Sequence, residues 1–216
     1  MARREPLNRE KILDAALELA AEEGLQGLAM RRLAKALGVE AMSLYNHVSN
    51  KADILNGLAE RAFSQVELPD PALPWQQRIR ALALSMYEVF SRSPVVPIAL
   101  MTDQANPTSV RALTPLDSLV GTLYEAGFDD AGVWRALGAV NGLLFGSLLL
   151  STAGFSGDFR DHAGRQRVGV YIQEMDPAQL PHFSKLLRNI PQTDHARDFE
   201  RALDMLIAGL EQSIPF

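Results

Sequence analysis

Apolar residues recur every three or four positions along almost the whole chain, and no run alternates with the two-residue period of a half-buried strand. The pattern predicts an all-α protein. Asn8 is placed to cap a first helix, with Glu10 in the first turn where the helix dipole favours an anion. Ile12, Leu13, Ala16, Leu19 and Ala20 fall on one stripe, and Gly24 is expected to end it. A second helix over about 28–37 buries Leu33, Ala34 and Leu37 and stops at Gly38. After three or four turn residues comes a very short third helix over about 41–48. A fourth starts near Asn50 and carries Ile54, Leu55, Leu58 and Phe63.

Residues 68–74 hold three of the twelve prolines. Each removes a backbone donor and disfavours helix at the residue before it, so this stretch reads as a linker between domains at 1–67 and 75–216. Beyond it, residues 75–92 form an amphipathic helix through Ile79, Leu82, Met86 and Phe90. Pro94, Pro97, Pro107 and Pro115 then divide shorter pieces, with a helix expected over 116–126 and closed by Gly127. Residues 130–153 are the most apolar helix, 154–165 a loop rich in glycine and charge. A last helix over about 196–213 places Phe199, Leu203, Leu206, Ile207, Leu210 and Ile214 on one side.

Composition narrows the function classes. Cysteine is absent from the 216 residues, which removes disulfides, thiolate metal sites and cysteine nucleophiles and fits a reducing cytoplasm. The charged start MARREPLNREK runs into an amphipathic pattern without a signal-peptide core. Residues 136–157 are uncharged over a length that could span a bilayer, yet they include Asn141, Ser147, Ser151, Thr152 and five glycines, so a buried helix of a soluble protein is expected. The net charge of −5 is unevenly spread: residues 1–51 carry eight basic and seven acidic side chains, the remainder thirteen and nineteen. That asymmetry permits nucleic-acid binding at the N-terminal end without demanding it.

Two helices joined by a glycine turn, the second of them short, are the sequence form of a helix-turn-helix. Leu37-Gly38-Val39 supplies the corner, because Gly38 can take the left-handed conformation. In AMSLYNHV, Leu44 and Val48 share the inner face. Met42, Ser43, Tyr45, Asn46 and His47 lie on the other, where they can donate, accept or stack against DNA. From Leu7 to Leu58 the chain resembles the DNA-binding domain of the tetracycline-repressor (TetR) family, on Leu33-Ala34, Leu37-Gly38-Val39, Leu44-Tyr45, His47-Val48 and Asn50-Lys51. The resemblance implies that Arg31, Ser43, Tyr45, His47 and Lys51 approach DNA. It departs where the family's namesake has Gln-Pro and tryptophan and this chain has Ala41-Met42 and Asn46. Asn46 can read adenine bidentately and Arg31 guanine, so these two are the candidates for direct readout.

One short helix reads too few base pairs for specificity, so a dimer on a palindrome is expected. The resemblance implies an intermolecular four-helix bundle built from residues about 130–153 and 196–213. Gly138, Gly142 and Gly146 lie on one helical stripe, which either admits a second subunit closely or packs inside one chain. A small-molecule effector site is expected inside the helices after the linker, at Met86, Phe90, Met101, Tyr124, Trp134, Asn141 and Phe145, with no cofactor and no metal. The family's namesake holds magnesium–tetracycline partly through histidines near 66–69 and 97–102; this chain has none there, so tetracycline is disfavoured as the inducer, and the mostly apolar residues named for the site suggest a hydrophobic or aromatic effector.

An enzyme is disfavoured. Besides His47 there are three histidines, with no H-E-x-x-H pair, no G-x-S-x-G elbow and no phosphate-cradling glycine loop. The sequence therefore reads as a cytoplasmic, ligand-responsive DNA-binding regulator and, by the family's common mode, a repressor. The alternative is a helical interaction module that keeps the fold without specific DNA binding.

Overall fold

A computed structural model describes residues 6–151, 166, 170, 176–189 and 194–213. Among these the chain is helical, without a strand. The Asn8 side chain accepts from the Lys11 N–H at 2.9 Å and starts α1, Arg9–Gly27. Ile12, Leu13, Ala16 and Ala20 are buried as expected. Gly24 takes φ 69°, a conformation costly for any residue with a Cβ, and kinks the helix; one further turn carries on to Gly27. Helix α2, Met30–Leu37, buries Leu33 and Ala34, with Leu37 half-buried. It ends at Gly38 (φ 65°, ψ 38°), and the Val39 N–H returns to the Ala34 carbonyl at 3.0 Å.

The third helix is shorter than its pattern suggests. α3 covers Ala41–Leu44, and residues 45–47 continue as a turn in which the His47 and Val48 N–H groups both donate to the Leu44 carbonyl. α4, Lys51–Phe63, is capped by Asn50, whose side chain accepts from the Asp53 N–H at 2.9 Å. After the extended and turn residues 64–74 come α5, Trp75–Ser91; α6, Val95–Met101; α7, Val110–Glu125; and α8, Asp130–Ser151. A short α9, Pro181–Arg188, had no counterpart in the sequence reading. The last helix is α10, His195–Glu211. The 154–165 loop, the final two residues of the 130–153 helix and Ile214 lie outside the described residues.

Two expectations are corrected. Pro97 lies in the first turn of α6, where its missing N–H would have no helical partner, and so divides nothing. Pro115 does not separate two pieces: α7 begins six residues before the expected 116 and runs through it. Proline cannot donate to the carbonyl four residues back, here that of Arg111. Arg111 is exposed and the second residue of the helix, so its carbonyl can be left to water. Ser109 caps α7, and the buried residues Ala112, Pro115, Leu119 and Leu123 outweigh the lost bond.

A single apolar core runs from the helix-turn-helix into the later helices. α4 packs on α1 on one side and on α5, α6 and α7 on the other, and α1 also packs directly on α6. The Phe63 and Phe90 rings meet edge to face across this junction, centroids 5.2 Å apart. At the far end α8 and α10 lie side by side, and α10 is joined to α5 by a Tyr87–Phe199 stack at 4.4 Å and by Arg80 bonded to Glu200 and Asp204.

Candidate nucleic-acid interface and effector cavity

The reader surface is built by what the core withholds from solvent. Leu44 and Val48 are fully buried, which turns the rest of α3 and its following turn outward. Met42 is 75% exposed and Tyr45 48%, with Asn46 and His47 also exposed and Ser43 half-buried. Arg31 stands exposed at the start of α2, beside Arg32, which is paired with Glu23. Six of the seven side chains singled out in the sequence, on α2, α3 and the turn after it, are thus exposed or, for Ser43, half-buried. The seventh, Lys51, is half-buried at the first turn of α4. Its ammonium donates to the Leu25 carbonyl at 2.5 Å and so also ties α4 to the kink of α1.

The sequence reading missed the clamp behind this surface. Arg9 on α1 donates to the carbonyls of His47 and Asp53, both at 3.3 Å, and to the Asp53 carboxylate at 2.7 Å. The other Asp53 oxygen accepts the Ser49 N–H at 2.8 Å. Hydrogen bonding to Arg9 pulls the Asp53 carboxyl below its ordinary pKa, against the opposing effect of burial and with help from Ser49. The same contact raises Arg9. Together these bonds fix the end of the recognition turn to α1 and α4. An Arg in the first turn of one helix and an Asp in the first turn of another gave no local signal; only their meeting in space does.

An apolar cavity of about 200 Å³ lies among α4, α5, α6, α7 and α8. Met86, Asn141 and Phe145, named from sequence, line it together with Phe63, Leu100, Asn106, Pro107, Ala112, Leu113, Pro115, Leu116 and Leu119. Phe90 stands behind the wall, fully buried, meeting the rings of Phe63 and Phe145. The other three named residues lie elsewhere. Met101 ends α6 in solvent, and Tyr124 is exposed with its hydroxyl donating to Asp130 at 3.0 Å. Trp134 is 73% exposed because the core-facing stripe of α8 is Ala136, Val140, Leu144 and Leu148, roughly opposite it. The α7 wall was missed because Pro115 was read as a break. The spacing Ala112, Leu116, Leu119, Leu123 would have revealed that face.

Outside the cavity, α8 and α10 expose small and apolar residues. Trp134, Gly138 and Gly142 face outward on α8, and Met205, Ala208 and Gly209 on α10. Among the described residues a Cβ added at Gly138, Gly142, Gly146 or Gly209 would meet nothing within 4 Å, so none of them fills the glycine stripe.

Comparison with known proteins agrees with this geometry. Residues 12–58 match the family of bacterial regulatory proteins, tetR family, and residues 68–214 match the tetracyclin repressor-like C-terminal domain. An HTH-type transcriptional regulator of Saccharopolyspora erythraea is 31% identical over 208 residues, 94% of this chain and 84% of that protein. Tetracycline repressor protein class D of Escherichia coli is 42% identical over 215 residues, 95% of this chain and 89% of the repressor. A possible TetR family transcriptional regulator from Streptomyces coelicolor A3(2) superposes with TM-score 0.76 at 28% identity, covering 95% of this chain and all of that one (100%). ActR of Streptomyces coelicolor, in its complex with actinorhodin, shares the fold at TM-score 0.77 and 23% identity over 98% of this chain and 100% of its own. With both parts matched in order around a helix-turn-helix, the chain belongs to the tetR family of bacterial transcriptional regulators.

Proposed function

We propose that this regulator is a cytoplasmic, non-enzymatic repressor that binds a palindromic operator as a homodimer and leaves it when a small apolar effector enters the cavity. The observation that carries the reading is the outward surface of α2 and α3 held by the Arg9–Asp53 clamp. Asn46 and Arg31 are the base readers on it. Met42, Ser43, Tyr45 and His47 shape the fit, and Lys51 with the α4 N-terminus engages backbone phosphate.

The DNA-binding part is residues 1–67, and residues 75–216 bind effector and dimerise. The dimer forms through α8 and α10. Support comes from the unfilled glycine stripe and from the exposed Trp134 and Met205 beside it. Such a bundle also covers the outward side of α8, which by length and hydropathy alone could cross a membrane. The effector site is the cavity at Met86, Asn141 and Phe145. Its 200 Å³ is below the roughly 300–1,000 Å³ of ordinary ligand sites, so it suits a small effector that would press on its walls. Those walls include α4, which carries the reader.

Selection of bound sequences from a random duplex pool tests the reading. Enrichment of a palindrome with half-sites about one turn apart, with affinity falling steeply as salt rises, is the expected result. Retrieval of no sequence, with only non-specific affinity, would favour a helical interaction module instead.

A further inference from the structure

The cavity holds one group that apolar packing does not explain. Asn141 reaches the wall from α8, where its neighbours Val140 and Leu144 are buried. Among the described residues its carboxamide has no hydrogen-bond partner. Asn141 is half-buried, and its carboxamide offers two donors and an acceptor that a ligand filling the cavity would cut off from water. The other polar wall residue, Asn106, is exposed, so water can pair its carboxamide. Among the described residues no charged side chain lines the space, whereas Phe63, Met86 and Phe145 supply rings and a thioether.

Resting on the effector-site reading above, we propose that the site takes an uncharged ring compound carrying one hydroxyl or carbonyl oxygen, and that Asn141 is its specificity-determining residue. An ionised ligand would lose its hydration with no counter-charge in return. The apolar wall recognises size and flatness but discriminates poorly between a ring and its hydroxylated analogue. Asn141 supplies that distinction, because an analogue lacking the oxygen leaves the amide unpaired. The modest volume favours a skeleton of one or two rings.

Three probes on one skeleton test this with the full-length protein by calorimetric titration: naphthalene, 2-naphthol and 2-naphthoate. The expected order is 2-naphthol about tenfold or more above naphthalene, with 2-naphthoate weakest. Asn141→Leu, close in volume, should erase the advantage of 2-naphthol while naphthalene still binds. Leu116→Trp, at the half-open mouth, should abolish binding of both. Equal affinity of the two neutral probes, or a preference that survives in Asn141→Leu, overturns the role of Asn141 and leaves the cavity as a ligand site. Tightest binding by 2-naphthoate overturns the uncharged class. Failure of all three probes, or binding indifferent to Leu116→Trp, overturns the effector-site reading itself.

Discussion

Arg9 and Asp53 meet 2.7 Å apart, and through them the turn after the recognition helix is held by two other helices at once. The Asp53 carboxyl is only 28% exposed, and Arg9 keeps its pKa below the ordinary value. A carboxylate whose folded pKa is lowered adds stability that is complete above its unfolded value near about 3.9 and is lost as pH falls through the folded value. Asp53→Asn should therefore destabilise the protein at pH 7 by about 1 kcal/mol, since Arg9 is partly exposed and screened. The difference from the parent should shrink as pH drops from about 5 towards 2. Thermal unfolding across that range measures it; a difference independent of pH would remove Asp53 ionisation from the account.

A second relationship links reader and cavity. The Asn106 N–H donates to the Asn56 side chain at 2.6 Å, joining α4 to the loop whose residues 106 and 107 line the cavity. α4 is meanwhile seated tightly on α1: a Cβ at Gly57 would lie 3.0 Å from both Arg9 and Leu13. A displacement of the loop thus reaches the whole reader. Asn56→Leu should leave operator and effector affinities near their separate values and weaken their coupling by about 0.5–2 kcal/mol. Asn56→Asp keeps an acceptor and should keep the coupling. The measurement is operator affinity with and without saturating effector, and unchanged coupling in Asn56→Leu would break the link.

How far the sequence could be read follows from the range of each interaction. The caps Asn8, Asn50 and Gly38 and the pair Leu44 and Val48 act within a few residues, so their positions are legible in a local pattern. The α7 wall was obscured because a proline normally ends a helix, and here tertiary burial prevailed. Trp134 and Tyr124 look like core in a linear pattern. Only the packing of α8 against its neighbours shows that Trp134 faces outward, and only the Asp130 contact shows where Tyr124 is held. Arg9, Asp53, Asn56 and Asn106 lie in pairs 44 and 50 positions apart and had no signature at all.

On the roles proposed above, the reader surface would divide into residues that choose a sequence and residues that hold any DNA. Asn46→Ala should lose about 1–3 kcal/mol of discrimination at one base-pair position while non-specific affinity stays. Lys51→Gln should weaken all sequences alike and lower the salt slope by about one. Because Lys51 also bonds the Leu25 carbonyl, this second variant should unfold slightly earlier, and Asn46→Ala should not. Binding to a panel of single-substituted operators at two salt concentrations separates the two. A uniform loss in Asn46→Ala would show that Asn46 touches only the backbone.

Gly142 offers a test in which fold and assembly respond in opposite directions. It lies within α8, exposed, with open space where a Cβ would stand. Among the described residues a Cβ there meets no obstacle, so a leucine should strengthen the helix, since interior glycine costs about 1 kcal/mol relative to a good helix former. At a close helix–helix contact between two subunits the same side chain forces the backbones apart. Gly142→Leu should therefore keep its helical circular dichroism while its dimer dissociates at far higher concentration in sedimentation velocity. Affinity for a palindromic operator should fall towards that for a single half-site, because the two readers no longer bind as one. An intact dimer in this variant would move the interface away from the glycine stripe of α8.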